Sequence, residues 1–170
     1  MPALQWSESL ALGLPYMDDT HREFVDLLAS AADAPNDAGM ATWQSVVAHT
    51  EEHFGREDQW MRATRFAPGT CHATEHDAIL KVMREGGRRG QVGDLALVRQ
   101  MARELGIWFT QHAQGMDAVL AEHLREVGFD EATGVARSLD LMAHDALQPC
   151  GGLDGRIGRE NWHLPLASIA

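Results

Sequence analysis

The chain has 170 residues, a length that suits one domain with a real hydrophobic core. Its 14 Lys+Arg against 25 Asp+Glu give a formal net charge of -11, with "GGRRG" at 86–90 as the one short basic run, which argues against nucleic acid and anionic lipid as partners. The first residues lack the basic flank and apolar core of a signal peptide, no run approaches the roughly 18 apolar residues of a membrane span, and two cysteines, Cys71 and Cys150, can make at most one bond with each other and are read first as two free thiols, so a soluble cytoplasmic protein is expected.

Glycine and proline punctuate the sequence at 35–39, 68–69, 86–93 and 149–158, leaving segments of helical periodicity and no strand signal between them. The first helix is predicted over 19–33, with Phe24, Val25, Leu27 and Leu28 on its apolar face, and the second over 40–64, with Trp43, Val46, Val47 and Phe54. A third over 71–85 carries Ile79, Leu80, Val82 and Met83 and stops before the glycine-rich turn. A fourth runs from near Gly93 through Met101, Leu105, Trp108 and Phe109 to about Val127. Short connections make consecutive helices antiparallel, so the expected fold is all-α, an up-down-up-down four-helix bundle. A shorter fifth helix is predicted over 130–147, followed by an irregular tail whose Trp162, Leu164, Leu166 and Ile169 should pack back over the bundle. The chain then divides into a bundle, 1–127, and a C-terminal helical extension with its tail, 128–170.

Histidine carries the chemical signal, because nine are present and every long helix has one at an interior position: His21, His53, His72 with His76, and His112. In "HTEEHFGREDQWM", 49–61, residues His49, His53 and Glu57 are spaced by fours and lie on nearly one helix face. Asp117 follows His112 by five. Five imidazoles and two carboxylates are what a pair of transition-metal ions can absorb: two bridging carboxylates, imidazoles split three to two, and a bridging solvent oxygen leave one position open. Such ligands suit iron, while manganese, cobalt and zinc are chemically compatible. The five-residue step turns an ideal helix about 140° beyond a full turn, which predicts a widened, π-like turn near Gly115.

The same residues resemble the bacterial hemerythrins, a family of oxygen-binding di-iron four-helix proteins, over residues 6 to about 125. Trp6, Gly13 and "MDDTH" (17–21) resemble the family's opening W, G and I-D-x-Q-H; "HFGRED" (53–58) resembles H-F-x-x-E-E; "HATEH" (72–76) resembles H-x-x-E-H; and "HAQGMD" (112–117) resembles H-x-x-x-x-D. The resemblance implies that His72, His76 and His112 hold one iron, that His21 and His53 hold the other, and that Glu57 and Asp117 bridge them. It implies dioxygen as the partner, bound reversibly at the two-histidine iron for storage, delivery or sensing, with Phe24, Trp108 and Phe109 lining an oxygen pocket. A di-iron oxidase, peroxidase or nitric-oxide-handling enzyme is the alternative, disfavoured because such sites use more carboxylate than the five-to-two ratio here. His49 stands where the family commonly has Tyr, and it is read as a partner of a ligand histidine, a solvent-facing residue or, least, a ligand. Asp58 and Thr20 are expected on the outer face, and Asp18 and Glu75 are read as residues that could each orient a ligand histidine.

Overall fold

A computed structural model describes residues 3–138. Its helices are α1 (Pro15–Asp33), α2 (Gly39–Ala63), α3 (Gly69–Gln91), α4 (Leu95–His112) and α5 (Ala118–Glu126). A π turn, Ala113–Asp117, joins α4 and α5 into one continuous rod, which gives the bundle its fourth member and bears out the widened turn expected from the five-residue step. α1 packs against α2 and α4, and α3 against the same two, as an up-down-up-down bundle requires.

The first helix starts four residues earlier than its apolar periodicity suggests. Pro15 opens it, where a missing N–H costs nothing. Asp18 accepts the Leu12 and Gly13 N–H groups at 2.6 and 3.0 Å, so it fastens the entry loop rather than a ligand histidine. Gly13 takes φ +76 there, a left-handed conformation that favours glycine. Glu131, from beyond α5, accepts the Tyr16 and Met17 N–H groups, serving as a remote cap for the first turn.

The glycine-rich run 86–93 does not end α3, which continues to Gln91. Gly86 and Gly90 are four apart on one buried face, and a Cβ at either would run into a neighbour: Met101 and Trp43 at the first, Met40 and Val98 at the second. Close helix approach, rather than a turn, accounts for these glycines. Gly55 in α2 is different, since nothing lies within 4 Å of a Cβ built there. Gly55→Ala is therefore expected to raise stability by up to about 1 kcal/mol, read as an upward shift in the thermal midpoint. A lowered midpoint would show that this position needs glycine.

The predicted helix over 130–147 is corrected in its first part. Residues Phe129–Asp130 and Val135–Ala136 pair as a short antiparallel hairpin, which also overturns the expectation of no strand. Phe129 turns inward onto Trp60, with ring centroids 5.9 Å apart, so the segment after α5 packs on the bundle base through a non-helical contact. The remainder of that helix and the tail at 149–170 lie outside the described residues. Among the described residues no helix is long and apolar enough to cross a membrane. Cys71 is disulfide-bonded, contrary to the reading of two free thiols, which withdraws one support for a reducing compartment; Cys150 lies outside the described residues.

Two apolar layers fill the bundle. One contains Phe24, Leu28, Trp43, Phe54, Met83, Met101, Trp108 and Phe109; the other contains Met17, Trp60, Met61, Leu120, Leu124 and Phe129. Each large side chain buried here is worth about 1.5–3 kcal/mol relative to exposure. Along α1 the change from Met17 in one layer to Phe24 in the other passes His21, and along the fourth rod the change from Phe109 to Leu120 passes His112 and Asp117. The seven expected ligands thus lie at one level between the layers.

Candidate metal centre

Nine polar residues are buried among the described residues: the five expected histidines, Glu57, Asp117, Thr50 and Thr64. The threonines need nothing further, because each hydroxyl donates to its own helix, Thr50 to the Val46 carbonyl at 2.7 Å and Thr64 to the Trp60 carbonyl at 2.8 Å. The other seven converge from all four rods. Glu57 is central: Oε1 lies 3.0 Å from His53 Nε2 and 3.8 Å from His21 Nε2, and Oε2 lies 3.3 Å from His76 Nε2 and 3.7 Å from His72 Nε2. Asp117 is its counterpart, with Oδ1 3.0 Å from His72 Nε2 and 3.1 Å from His112 Nε2, and Oδ2 3.4 Å from His21 Nε2.

His112 Nε2 stands 3.0 Å from His72 Nε2 and 3.3 Å from His76 Nε2. A neutral imidazole nitrogen carrying a lone pair cannot hydrogen-bond another lone pair, so three rings meeting at these atoms share at most a few protons between them. Two donors at right angles, each about 2.1 Å from one ion, stand about 3.0 Å apart. The two spacings at His112 are those of neighbouring donors to one ion. Glu57 Oε2, both Asp117 oxygens and both His21 nitrogens are buried without a hydrogen-bond partner, a cost that ordinary packing leaves uncompensated and a cation removes. Two donor groups result: Glu57, His72, His76, His112 and Asp117, whose ligand atoms all lie within 4.8 Å of one another, and His21, His53 and Glu57.

The structure brings together every residue expected at the metal and assigns the neighbours whose roles the sequence left open. Glu75 orients His112, with Oε1 3.3 Å from Nδ1, and is itself held by the Trp108 indole N–H at 2.8 Å. Asp58 is corrected from the outer face: its Oδ1 lies 3.1 Å from His76 Nδ1. The available signal was its place one residue after Glu57, about 100° around α2, on a flank that could meet α3. His49 points away from the centre, with Nε2 3.1 Å from the Thr20 carbonyl and its ring stacked on Phe24 at 6.0 Å. Burial, with His53 nearby, holds its pKa below the ordinary histidine value, leaving a neutral ring whose Nε2–H can donate to that carbonyl.

Of the three expected pocket residues, Phe24 and Phe109 stand together beside His21. Phe109 meets the His21 ring edge-on at 5.0 Å, and Phe24 packs behind it, 5.0 Å from Phe109 and 6.4 Å from His53. Trp108 is on the other side, stacked on His112 at 4.5 Å, where it shields and orients that ligand.

Electrostatics favour anionic carboxylates here. Burial opposes the charge on Glu57, but His53, His21 and His76 outweigh it and hold the carboxyl well below its ordinary range. Burial likewise opposes charge on His112, yet Asp117 and Glu75 carry its pKa up to about 10 in the metal-free protein. This folded-state value exceeds the ordinary 6.5, so the resulting stability is complete below about pH 6.5 and is lost as pH rises through 10. The metal-free protein should accordingly melt at lower temperature as pH is raised from 7 to 10. A metal must displace the same proton, so uptake at pH 7 should release protons, measurable by calorimetry in buffers of different ionisation enthalpy. Proton-neutral uptake would contradict this.

The family described as "Hemerythrin HHE cation binding domain" matches residues 12–124. A bacteriohemerythrin of Ralstonia nicotianae is 42% identical over 130 residues, covering 76% of this chain and 95% of that protein. A bacteriohemerythrin of Stenotrophomonas maltophilia is 24% identical over 129 residues, covering 74% and 84%. A crystal structure of a hemerythrin variant with leucine changed to tyrosine, and a solved structure of a variant with leucine changed to phenylalanine, each superpose with a TM-score of 0.66 at 19% identity, covering 73% of this chain and 98% of theirs. That last likeness concerns the fold.

Proposed function

Since the chain belongs to the hemerythrin family, we propose that it is a non-haem di-iron protein that binds dioxygen reversibly, for storage, delivery or sensing. The observation that carries this reading is the convergence of five imidazoles and two anionic carboxylates, several of them without any other partner, in one buried layer. In the proposed arrangement His72, His76 and His112 would hold one iron, His21 and His53 would hold the second, and Glu57 and Asp117 would serve both. Iron held there in the ferrous state would supply the redox chemistry that reversible dioxygen binding needs.

The protein's own residues do the rest. Phe24 and Phe109 close the His21 side with apolar surface, so water and protons are kept from the reduced centre and bound dioxygen can leave unchanged. Asp58 and Glu75 fix the rings of His76 and His112. Five imidazoles against two carboxylates favour a carrier over an oxidase or peroxidase, whose sites use more carboxylate. The functional unit is taken as the bundle, 1–127, with 128–170 as an extension whose first turn caps α1 through Glu131. A cytoplasmic site remains compatible with the strong negative charge.

Anaerobic reconstitution with ferrous iron, followed by elemental analysis and optical spectra through cycles of oxygen addition and removal, tests metal, ligand and reversibility together. Two irons per chain and a spectrum that returns on deoxygenation are expected. An intact fold with fewer than one iron, or irreversible oxidation in the first cycle, would overturn the reading.

A further inference from the structure

We infer that the two ion positions are unequal and fill in order: the three-histidine position first, the two-histidine position second, with the second the exchangeable one. The inference rests on the metal reading above and concerns how this chain's residues prepare the two halves differently.

The difference begins at the outer nitrogens. His76 Nδ1 lies 3.1 Å from Asp58 and His112 Nδ1 lies 3.3 Å from Glu75, whereas Nδ1 of His21, His53 and His72 has no hydrogen-bond partner. A carboxylate on the far nitrogen fixes the tautomer, holds the ring and raises its basicity, so two of three ligands in one half are oriented and made stronger donors before any ion arrives. Neither histidine of the other half has such support.

Packing adds to the bias. Phe54 lies flat on His76 at 3.8 Å and 6°, and Trp108 lies on His112 at 4.5 Å, so both rings are clamped on their faces as well as at their outer edges. In this half five donors have ligand atoms within 4.8 Å of one another; in the other His21, His53 and Glu57 do, with Asp117 approaching His21 alone at 3.4 Å. Ordering entropy lost on binding is smaller where the donors stand ready.

Access differs too. A surface cleft of about 260 Å³, lined by Asp19, Glu23, His49 and Glu52 among others, has His53 in its wall and none of the three histidines of the first half. Arg56 also lines the cleft and pairs with Glu52, and Asp19 pairs with Arg22, so the cleft gives the two-histidine position a route for exchange rather than a strong local charge. Asp58 and Glu75 act as positioning residues, through His76 and His112.

The experiment is an anaerobic titration of the metal-free full chain with cobalt(II), followed by calorimetry and visible absorption, then timed removal by a chelator. Two resolved events are expected, the first at least about tenfold tighter, with biphasic release. Asp58→Asn combined with Glu75→Gln should weaken the first event by about 10- to 100-fold and leave the second nearly unchanged. The amide oxygen of the Gln retains an acceptor for the Trp108 N–H, so the metal-free helical content should hold, with a midpoint lowered only by the loss of the charges beside His76 and His112. His53→Ala should remove the second event while the first keeps its affinity and absorption. Equal or fully cooperative uptake in the unaltered protein, or a double variant that weakens both events alike, would overturn the order. Absence of any cobalt uptake would overturn the metal reading itself, and the order with it.

Discussion

Replacing Glu57 with alanine is expected to reduce bound iron from two ions per chain to less than one. Its two oxygens stand between 3.0 and 3.8 Å from the Nε2 atoms of four histidines on three helices, so no other single side chain serves both halves so fully. On the proposed reading its loss would take one anionic donor from each position, and it leaves imidazoles crowded at one buried level with less charge to balance them. Because an ion that binds only the folded chain stabilises it in proportion to the logarithm of its affinity, the loaded protein should also lose several kcal/mol. For a chain of this size each kcal/mol is worth about 2–4 °C, so the midpoint should fall by more than about 10 °C. Glu57→Gln, which keeps the volume and one acceptor oxygen, separates the two effects: it should fill the same space while still binding poorly. Elemental analysis with parallel melting curves, loaded and chelated, measures both. Two tightly held ions in either variant would show that Glu57 is not a required bridge.

The second large effect is expected at Phe109. Its ring is 1% exposed and meets both His21 and Phe24 at 5.0 Å, so truncation to alanine opens a cavity directly against the two-histidine half. A Phe→Ala change in a core costs about 3–5 kcal/mol. At about 2–4 °C per kcal/mol, the midpoint should drop by roughly 6–20 °C even in the metal-free protein. Water admitted beside His21 should also shorten the working life of the centre, seen as fewer reversible oxygen cycles before the reduced spectrum fails to return. Phe109→Leu fills most of the space, so it should recover most of the stability. If Phe109→Ala melts normally and cycles as often as the unaltered protein, the apolar wall assigned to Phe109 is elsewhere.

The contrast between these two residues reflects what kind of information each rests on. Glu57 was legible because its partner His53 lies four residues away on the same helix, and a fixed rise and rotation per residue places both on one face without knowledge of the rest of the chain. The same arithmetic, applied to the five residues from His112 to Asp117, demanded the π turn that the structure contains at Ala113–Asp117. Periodicity also located four apolar stripes, which can be buried together only as a bundle.

Tertiary structure decided whatever depends on how two helices are rotated and offset against one another. Asp58 meets His76 across the α2–α3 contact and Glu75 meets His112 across the α3–α4 contact, pairings separated by 18 and 37 residues that no spacing on one helix determines. Trp108 and Phe109 are sequence neighbours, yet one helical step sends the first to His112 and the second to His21. The glycines of 86–90 read locally as a break, since glycine disfavours helix; in the bundle Gly86 and Gly90 are where neighbouring side chains come too near for a Cβ, and the helix continues through them. The seven converging residues follow from local spacing because each helix carries its own share of them. Their support and their access differ between the two halves because those depend on packing between helices, which forms only when the whole bundle closes.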